Sequence, residues 1–567
     1  MIEILATNIV SPLGVTTEEN YQAIKANRSA LMHYVDWRGI PHAFTASIFS
    51  AEQAANLRIE GFSHFESSVI RSIREALLNC DVDITSPRTL LILSTTKGNI
   101  DELDIDDANL GGYLSPGATA QKVASHFGMK SQPIVVCNAC ISGVTAQILA
   151  DRLLSADKYD VAVVCGADAV SPFVVSGFLS FKSLSPKECR PFDIERLGLN
   201  LGDGAATIVF GKASANSTTQ RWRVVRGQLS NDAYHISSPS PQGEGTVQAI
   251  KRVLDGVQKE EIGAVCVHGT ATLFNDHMES MAIERTGLSD IPVTAFKGFY
   301  GHTLGAAGVL ETILVTRALD DGLILPVRGY NEIGVGGKIN ISNQLRTCDK
   351  QSFLKIISGF GGCNGVLLYA KGTDVSAQVN DTKMIECTHT VRITPDSITL
   401  DGTTLDTTST GKAMLKEVYK SHVGDCTKFV KMDALSRLAV LGTNLMLQQE
   451  RCDEQAKRYD IILFNGSSSI VGDCNHLAMI RNRDNFYPSP SIFLHTMPNI
   501  ATGEIAIQHA FRGETSLYIL EKKSEDIMND IATISLQASD NDALITGWVD
   551  CSGEDIFEAE IKILTKK

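Results

Sequence analysis

The sequence lacks a basic excess, a leader-like start and any long apolar run, and each absence removes a class of protein. A formal charge of −14 and an isoelectric point near 5.4 argue against nucleic acid or an anionic membrane as the main partner, since both reward a basic surface. The first residues, MIEILATNIVSPLG, show neither the basic start nor the apolar core of a secretory signal, and no apolar stretch reaches the ~20 residues of a membrane helix. A cytoplasmic protein without membrane insertion is expected. Also missing is a disulfide framework: the 13 cysteines are scattered and odd in number, as in a reduced compartment. Cys165 in VAVVCGAD and Cys266 in IGAVCVHG read as small hydrophobes in buried strands.

What is present is an alternation of short Val/Ile/Leu/Ala runs with longer amphipathic segments, the pattern of an α/β layered architecture. Strands are predicted at Thr89–Ser94, Ile134–Cys137, Val161–Cys165 and Ile262–Val267, and a helix over Ser142–Ser155. At 567 residues, two or three packed units are expected. The Ser/Pro/Gly-rich stretch His235–Gly245 and the aperiodic Gly372–Thr382 divide the chain into 1–245, 246–375 and 376–567. An internal echo sets Leu153–Asp168 beside Ser535–Asp550, and Leu90–Ile100 beside Ile461–Val471. The matching order reads as a degenerate copy of the first half.

The chemistry-bearing residues begin at PIVVCNACISG, where a strand runs into Cys140 and a small-residue helix start follows. A thiol at a helix N-terminus is expected to have a lowered pKa and to attack a thioester. Cys137 and Cys140 also form a C-x-x-C, but no second pair with metal-ligand spacing follows. The elbow by itself fits a structural cysteine as well as a catalytic one. His268 stands at the carboxyl end of an apolar strand in CVHGTAT, where functional groups of α/β sheets gather. His302 follows a glycine and precedes a Gly/Ala-rich helix start, and SGFGGCNG lacks the lysine of a nucleotide-binding loop.

Taken together, these segments resemble the elongating β-ketoacyl-acyl carrier protein synthases, over about residues 1–372. The resemblance rests on VSPLG, STTKG, NACISG, RPFDIERLGLNLGDGAA, DAYHISSPSPQGEG, HGTATLFND, K-x-x-x-G-H-x-x-G-A-A-G and GFGGCN in family order. It implies a thiolase fold, layered α-β-α-β-α, with Cys140 as acyl-accepting nucleophile and His268 and His302 as the pair that binds the malonyl thioester carbonyl during decarboxylation. It further implies that Lys297 and Glu279 support the second histidine, that Thr270 and Thr272 bind the phosphopantetheine arm, and that the mobile Phe360 lends its N–H, with that of Cys140, to an oxyanion hole. No cofactor or metal is implied, because substrates ride on the phosphopantetheine of an acyl carrier protein. Homodimerisation, or pairing with a related synthase, is implied as well. Ile141 and Asp203 depart from the family pattern.

Residues 376–567 resemble an additional α/β thiolase-like half domain of the chain-length-factor kind. Counting from Gly513 as the counterpart of Gly128 puts the Cys140 equivalent near Glu525, where no cysteine lies. His495 and His509 read as structural. The function implied is a 3-oxoacyl-acyl carrier protein synthase, an acyltransferase of fatty-acid or polyketide-like synthesis. The alternative is a chain-length-factor-like scaffold that works beside another synthase.

Overall fold

The computed structural model describes residues 1–107, 110–213, 220–372, 383–450, 458–481 and 486–567. Most of the second predicted junction, residues 373–382, therefore lies outside the described residues. The strands that position the site are β1 (Ile2–Val10), β2 (Thr89–Ser94), β3 (Ile134–Val136), β4 (Val161–Asp168), β5 (Gly204–Lys212), β6 (Trp222–Asn231), β7 (Ala264–Cys266), β8 (Pro292–Thr294), β9 (Asn340–Ile341), β10 (Ser352–Ser358) and β11 (Cys363–Lys371). The last third adds β12 (Ile385–Ile393), β13 (Tyr459–Asn465), β14 (Thr515–Ile519), β15 (Ala543–Gly553) and β16 (Ile556–Lys566). The helices include α1 (His64–Leu77), α2 (Pro116–His126), α3 (Ser142–Ser155), α4 (Glu244–Val253), α5 (Leu273–Arg285), α6 (Ala307–Asp320), α7 (Ala434–Leu447), α8 (Ile500–His509) and α9 (Glu525–Ala538).

Two sheets enclose α3 and α6. The first runs β1-β5-β4-β2-β3; the second runs β9-β8-β7-β10-β11-β6. Helix α1 covers the outside of the first and α4 the outside of the second, which completes the α-β-α-β-α layering. Strand β6 belongs to the second sheet, although the sequence division at 245 assigns it to the first unit. The loop at His235–Gly245 lies inside the second half, between β6 and α4, so its Ser/Pro/Gly content marks a turn and not a boundary.

Helices α3 and α6 show almost no polar face because both are sandwiched between sheets. They cross with backbones nearly touching: a Cβ at Gly143 would meet Val309 N at 2.9 Å, and one at Gly308 would meet Val144 N at 2.6 Å. That approach brings the two helix starts, and with them Cys140 and His302, side by side.

The first sheet does not end at β3. Strand β14 pairs antiparallel with it, and the sheet continues β14-β13-β15-β16-β12, with the same order and directions as β3-β2-β4-β5-β1. The echo seen in the sequence is thus a structural repeat. Asp168, closing β4, accepts from Thr96 N at 3.0 Å and from Thr95 Oγ1 at 2.8 Å; Asp550, in β15, accepts from Gly466 N and Ser467 N at 3.1 and 2.8 Å. Strand register sets Thr89 opposite Val161 and Tyr459 opposite Ala543. Leu90 is therefore equivalent to Asp460, one residue earlier than the sequence match suggests.

The β3–β14 junction is two-fold symmetric. Val136 pairs with its own equivalent, Tyr518, and Cys137 N donates to Leu517 O at 3.2 Å. This is the self-complementary geometry of a two-fold dimer interface, made within one chain. The β3 edge, where two copies would join strand to strand, is filled in cis, which removes that route to the expected homodimer. Among the described residues no helix is long and apolar enough to cross a membrane.

Candidate active site

Cys140 follows Ala139, which adopts a left-handed conformation (φ 47°) between β3 and α3. Ala271, next after Thr270, and Leu304, two residues after His302, are left-handed too, at φ 62° and 49°. For non-glycine residues this costs roughly 1–2 kcal/mol each, a strain that collects at functional sites.

Sγ of Cys140 and one nitrogen from each of His268 and His302 all lie within 4.8 Å of one another. The two rings are nearly perpendicular, 80° apart, with centroids separated by 4.9 Å. His302 Nδ1 accepts from Leu304 N at 3.2 Å, which leaves the proton on Nε2, a buried atom with no partner of its own. His268 Nδ1 is likewise buried and unpaired. Burial first, and then Lys297, pushes both imidazoles well below their usual range. Both rings are therefore neutral near pH 7, and His302 presents a free N–H donor.

Cys140 departs from the sequence expectation. Burial pushes its thiol up to about 12, with Lys297 pulling the other way. With desolvation the largest influence on the thiol, nucleophilic attack by Cys140 would have to be coupled to removal of the Sγ proton, and the neighbouring imidazoles are the bases in reach.

Glu279 and Lys297 both hydrogen-bond the backbone at His268, and Lys297 reaches the second histidine through its charge alone. Glu279 accepts from His268 N at 2.6 Å and Gly269 N at 2.7 Å, and burial raises its carboxyl to about 7. Lys297 Nζ donates to His268 O at 2.6 Å and to Glu311 Oε1 at 2.7 Å. Thr270 and Thr272 join hydroxyls at 2.9 Å and line, with Cys140 and both histidines, a pocket of about 260 Å³. Phe360 stacks on Phe181 at 5.3 Å and on Phe178 at 6.1 Å. Its loop passes so close to Cys140 that a Cβ on Gly359 would come within 3.2 Å of the Cys140 N. Ile141 is packed in the core and lies outside the pocket lining, and Asp203 accepts from Phe49 N and Val170 N.

Sequence reasoning missed three contributors. Glu311 and Lys355 are buried charges inside apolar segments, GVLETIL and SFLKIIS, a signal that was available. The third comes from the repeat. Phe493 and Met497 line a second, small cavity at Cys140, beside Thr96, Lys97, Val174 and Phe178, and Asn499 Nδ2 donates to Phe360 O at 2.9 Å. His495 makes a backbone bond to Ser491 O, and His509 stacks on Phe511; neither lines the pocket.

A Cys/His/His set offers ligand atoms of the kind found on zinc. Here two ammonium groups, Lys297 and Lys355, depress both imidazoles, and the same field would repel a dication and favour a negative group.

Residues 92–216 match the family described as beta-ketoacyl synthase, N-terminal domain, and residues 223–331 match beta-ketoacyl synthase, C-terminal domain. Over these residues the chain is similar to the β-ketoacyl synthases. It is 26% identical to the 3-oxoacyl-(acyl-carrier-protein) synthase 2 of Coxiella burnetii over 409 residues, covering 66% of this chain and 99% of that one. The ketosynthase ApeO, solved in complex with its chain length factor ApeC from Xenorhabdus doucetiae, is 24% identical, with a TM-score of 0.56 over 65% of this chain and 97% of that one. The PfaC keto synthase-chain length factor has the same fold over 100% of this chain and 78% of its own, at 15% identity and a TM-score of 0.76.

Proposed function

We propose that the protein is an acyltransferase that joins an acyl group to a malonyl unit by decarboxylative condensation, both delivered as thioesters on an acyl carrier protein. The observation that carries this reading is the meeting of Cys140 with two neutral, buried imidazoles that have unpaired nitrogens at one pocket. In the first half-reaction the Cys140 sulfur attacks the acyl thioester as a neighbouring imidazole takes its proton, the carrier sulfur leaves and receives that proton, and the acyl group becomes a Cys140 thioester. The N–H groups of Cys140 and Phe360 would stabilise the oxyanion. In the second, the bond from malonyl carbon to carboxylate breaks, carbon dioxide departs, and the electron pair moves toward the thioester oxygen held by His268 and His302. The enolate carbon then attacks the Cys140 thioester and the C–S bond breaks. The electrons come from the broken C–C bond, so the reading needs no resident cofactor. Thr270 and Thr272, at the pocket wall, would steady the carrier's arm.

The half domain, in this reading, takes the place of a second subunit: it fills the β3 edge and supplies Phe493 and Met497 to the small cavity at Cys140. The free cysteines among the described residues, and the lack there of a membrane-crossing helix, support a cytoplasmic location. Two measurements test the reading. Intact-mass analysis after incubation with an acyl-carrier thioester should show one acyl adduct on Cys140, and none at saturation would leave only the scaffold alternative. Phe493→Ala should lengthen the acyl chains accepted, and an unchanged product profile would remove the half domain from length control.

A further inference from the structure

Lys355 is a fully buried lysine in the apolar strand β10, and the reaction described above assigns it nothing. Its Nζ contacts Glu311 Oε2 at 2.5 Å, while the other oxygen of the same carboxylate holds Lys297 at 2.7 Å. Lys355 Nζ also donates to Ile356 O at 3.2 Å and Val267 O at 3.5 Å. The backbone of His268 is thereby gripped from both sides: Glu279 takes its N–H, Lys297 its carbonyl, and Lys355 the carbonyl before it.

The charge count gives this arrangement a consequence. Lys297 and Glu311 alone would form a neutral pair with little field at the histidines. With Lys355 the cluster holds two ammonium groups against the Glu311 carboxylate, with the Glu279 carboxyl beside it, so Lys355 makes the surroundings of the histidines more positive than Lys297 alone would. Burial opposes the charge on Lys355, and Cys266 and Glu311 outweigh it, so that its pKa is raised; the two lysines in turn keep the Glu311 carboxyl low against burial. A buried ion triad of this kind is costly to maintain and stands where negative charge would develop.

We infer that Lys355 is a positioning residue for the decarboxylation step, acting through Glu311 and Lys297 to make the environment of His268 and His302 more positive where the enolate forms. This rests on the condensing reading and names a residue that reading leaves out. The other titratable groups facing the two rings are Cys140 from the elbow and Glu279 from α5, with Cys266 at the end of β7 and Asp168 facing Cys140. Without Lys355 these groups carry no second cation.

The test uses the full chain and two readouts: carbon dioxide release from malonyl-carrier, and acylation of Cys140 followed by intact mass. Lys355→Met is expected to slow carbon dioxide release tenfold or more at saturating substrate, with KM and Cys140 acylation within about twofold of the parent. Its acid limb should move to higher pH, since one cation that repels imidazolium is gone. The decisive variant is Lys355→Met combined with Glu311→Gln, which leaves the Lys297 charge without the Glu311 carboxylate against it and should recover most of the lost rate. A double variant no faster than Lys355→Met overturns the inference, as does a single variant that keeps the parent rate and pH profile. If Lys355→Met does not fold, the double variant is compared with the parent directly: a tenfold or greater loss of carbon dioxide release with normal acylation then counts against it. Parent protein that releases no carbon dioxide would instead bring down the condensing reading itself.

Discussion

The half of the long sheet that holds Cys140 and the half that begins at Ile385 share one topology, and they differ wherever chemistry or cover is concerned. Carrying the β3–β14 register four residues past the strand end puts Lys522 where Cys140 stands, three residues earlier than the count from Gly513 predicts. Helix α3 is buried nearly all round; its counterpart α9 exposes Glu525, Asp526 and Asn529. Strand β5 is buried on both faces, whereas β16 alternates exposed and buried residues over most of its length. The reason is that no copy of the second sheet covers this half among the described residues, so its sequence has been rewritten for water on one side. What the copy retains is the face against the synthase. The buried pairs Lys97–Asp473 at 2.8 Å and Arg152–Glu514 at 2.7 Å both cross the junction, and Lys97 also bonds the Thr496 carbonyl.

The largest expected contrast is at the two equivalent elbows. Cys140→Ala should reduce condensation to background while Lys522→Ala leaves it intact, measured as product formed from acyl- and malonyl-carrier. Loss of activity in the Lys522 variant would mean that the copy is not chemically silent. His302→Ala comes next, with carbon dioxide release reduced about a hundredfold to a thousandfold, the usual cost of one preorganised donor, and Cys140 still acylated. A variant failing only at acylation would reverse the division of labour between thiol and imidazoles.

Asp473→Ala addresses the junction and should destabilise the protein by about 3–5 kcal/mol in denaturant titration, because it strands the Lys97 ammonium in a buried site. A loss below about 1 kcal/mol would show that the halves are held by the β3–β14 strand pair and apolar packing alone. The smallest effect is expected from His476, which bonds Ser176 across the junction and is lowered to about 4 by burial. A histidine with a depressed folded pKa contributes stability that is complete above its unfolded value, near 6.5, and lost as pH falls toward 4. His476→Gln should flatten the fall of Tm between pH 6.5 and 4, and an unchanged slope would place the acid sensitivity elsewhere.

Much of the site was legible because its residues sit in short motifs with their own local cause: a strand end, a left-handed turn, a glycine where two helices touch. Glu311 and Lys355 were legible in principle as charges in apolar runs, but only their meeting with Lys297 gives them meaning. Phe493, Met497 and Asn499 carry no local signal at all, since the wall they build lies against residues hundreds of positions away.

By itself the sequence determined the layered α/β class and the repeat, because periodicity and turn chemistry are local properties of the chain, and through its resemblance it singled out Cys140, His268 and His302 as candidates. Only the tertiary structure decided that burial raises the Cys140 thiol, that Glu279 and Lys297 hydrogen-bond the backbone at the first histidine, and that the repeat pairs with the β3 edge. Those depend on desolvation and on through-space pairing, which are set by what folds around a residue and not by its neighbours in sequence.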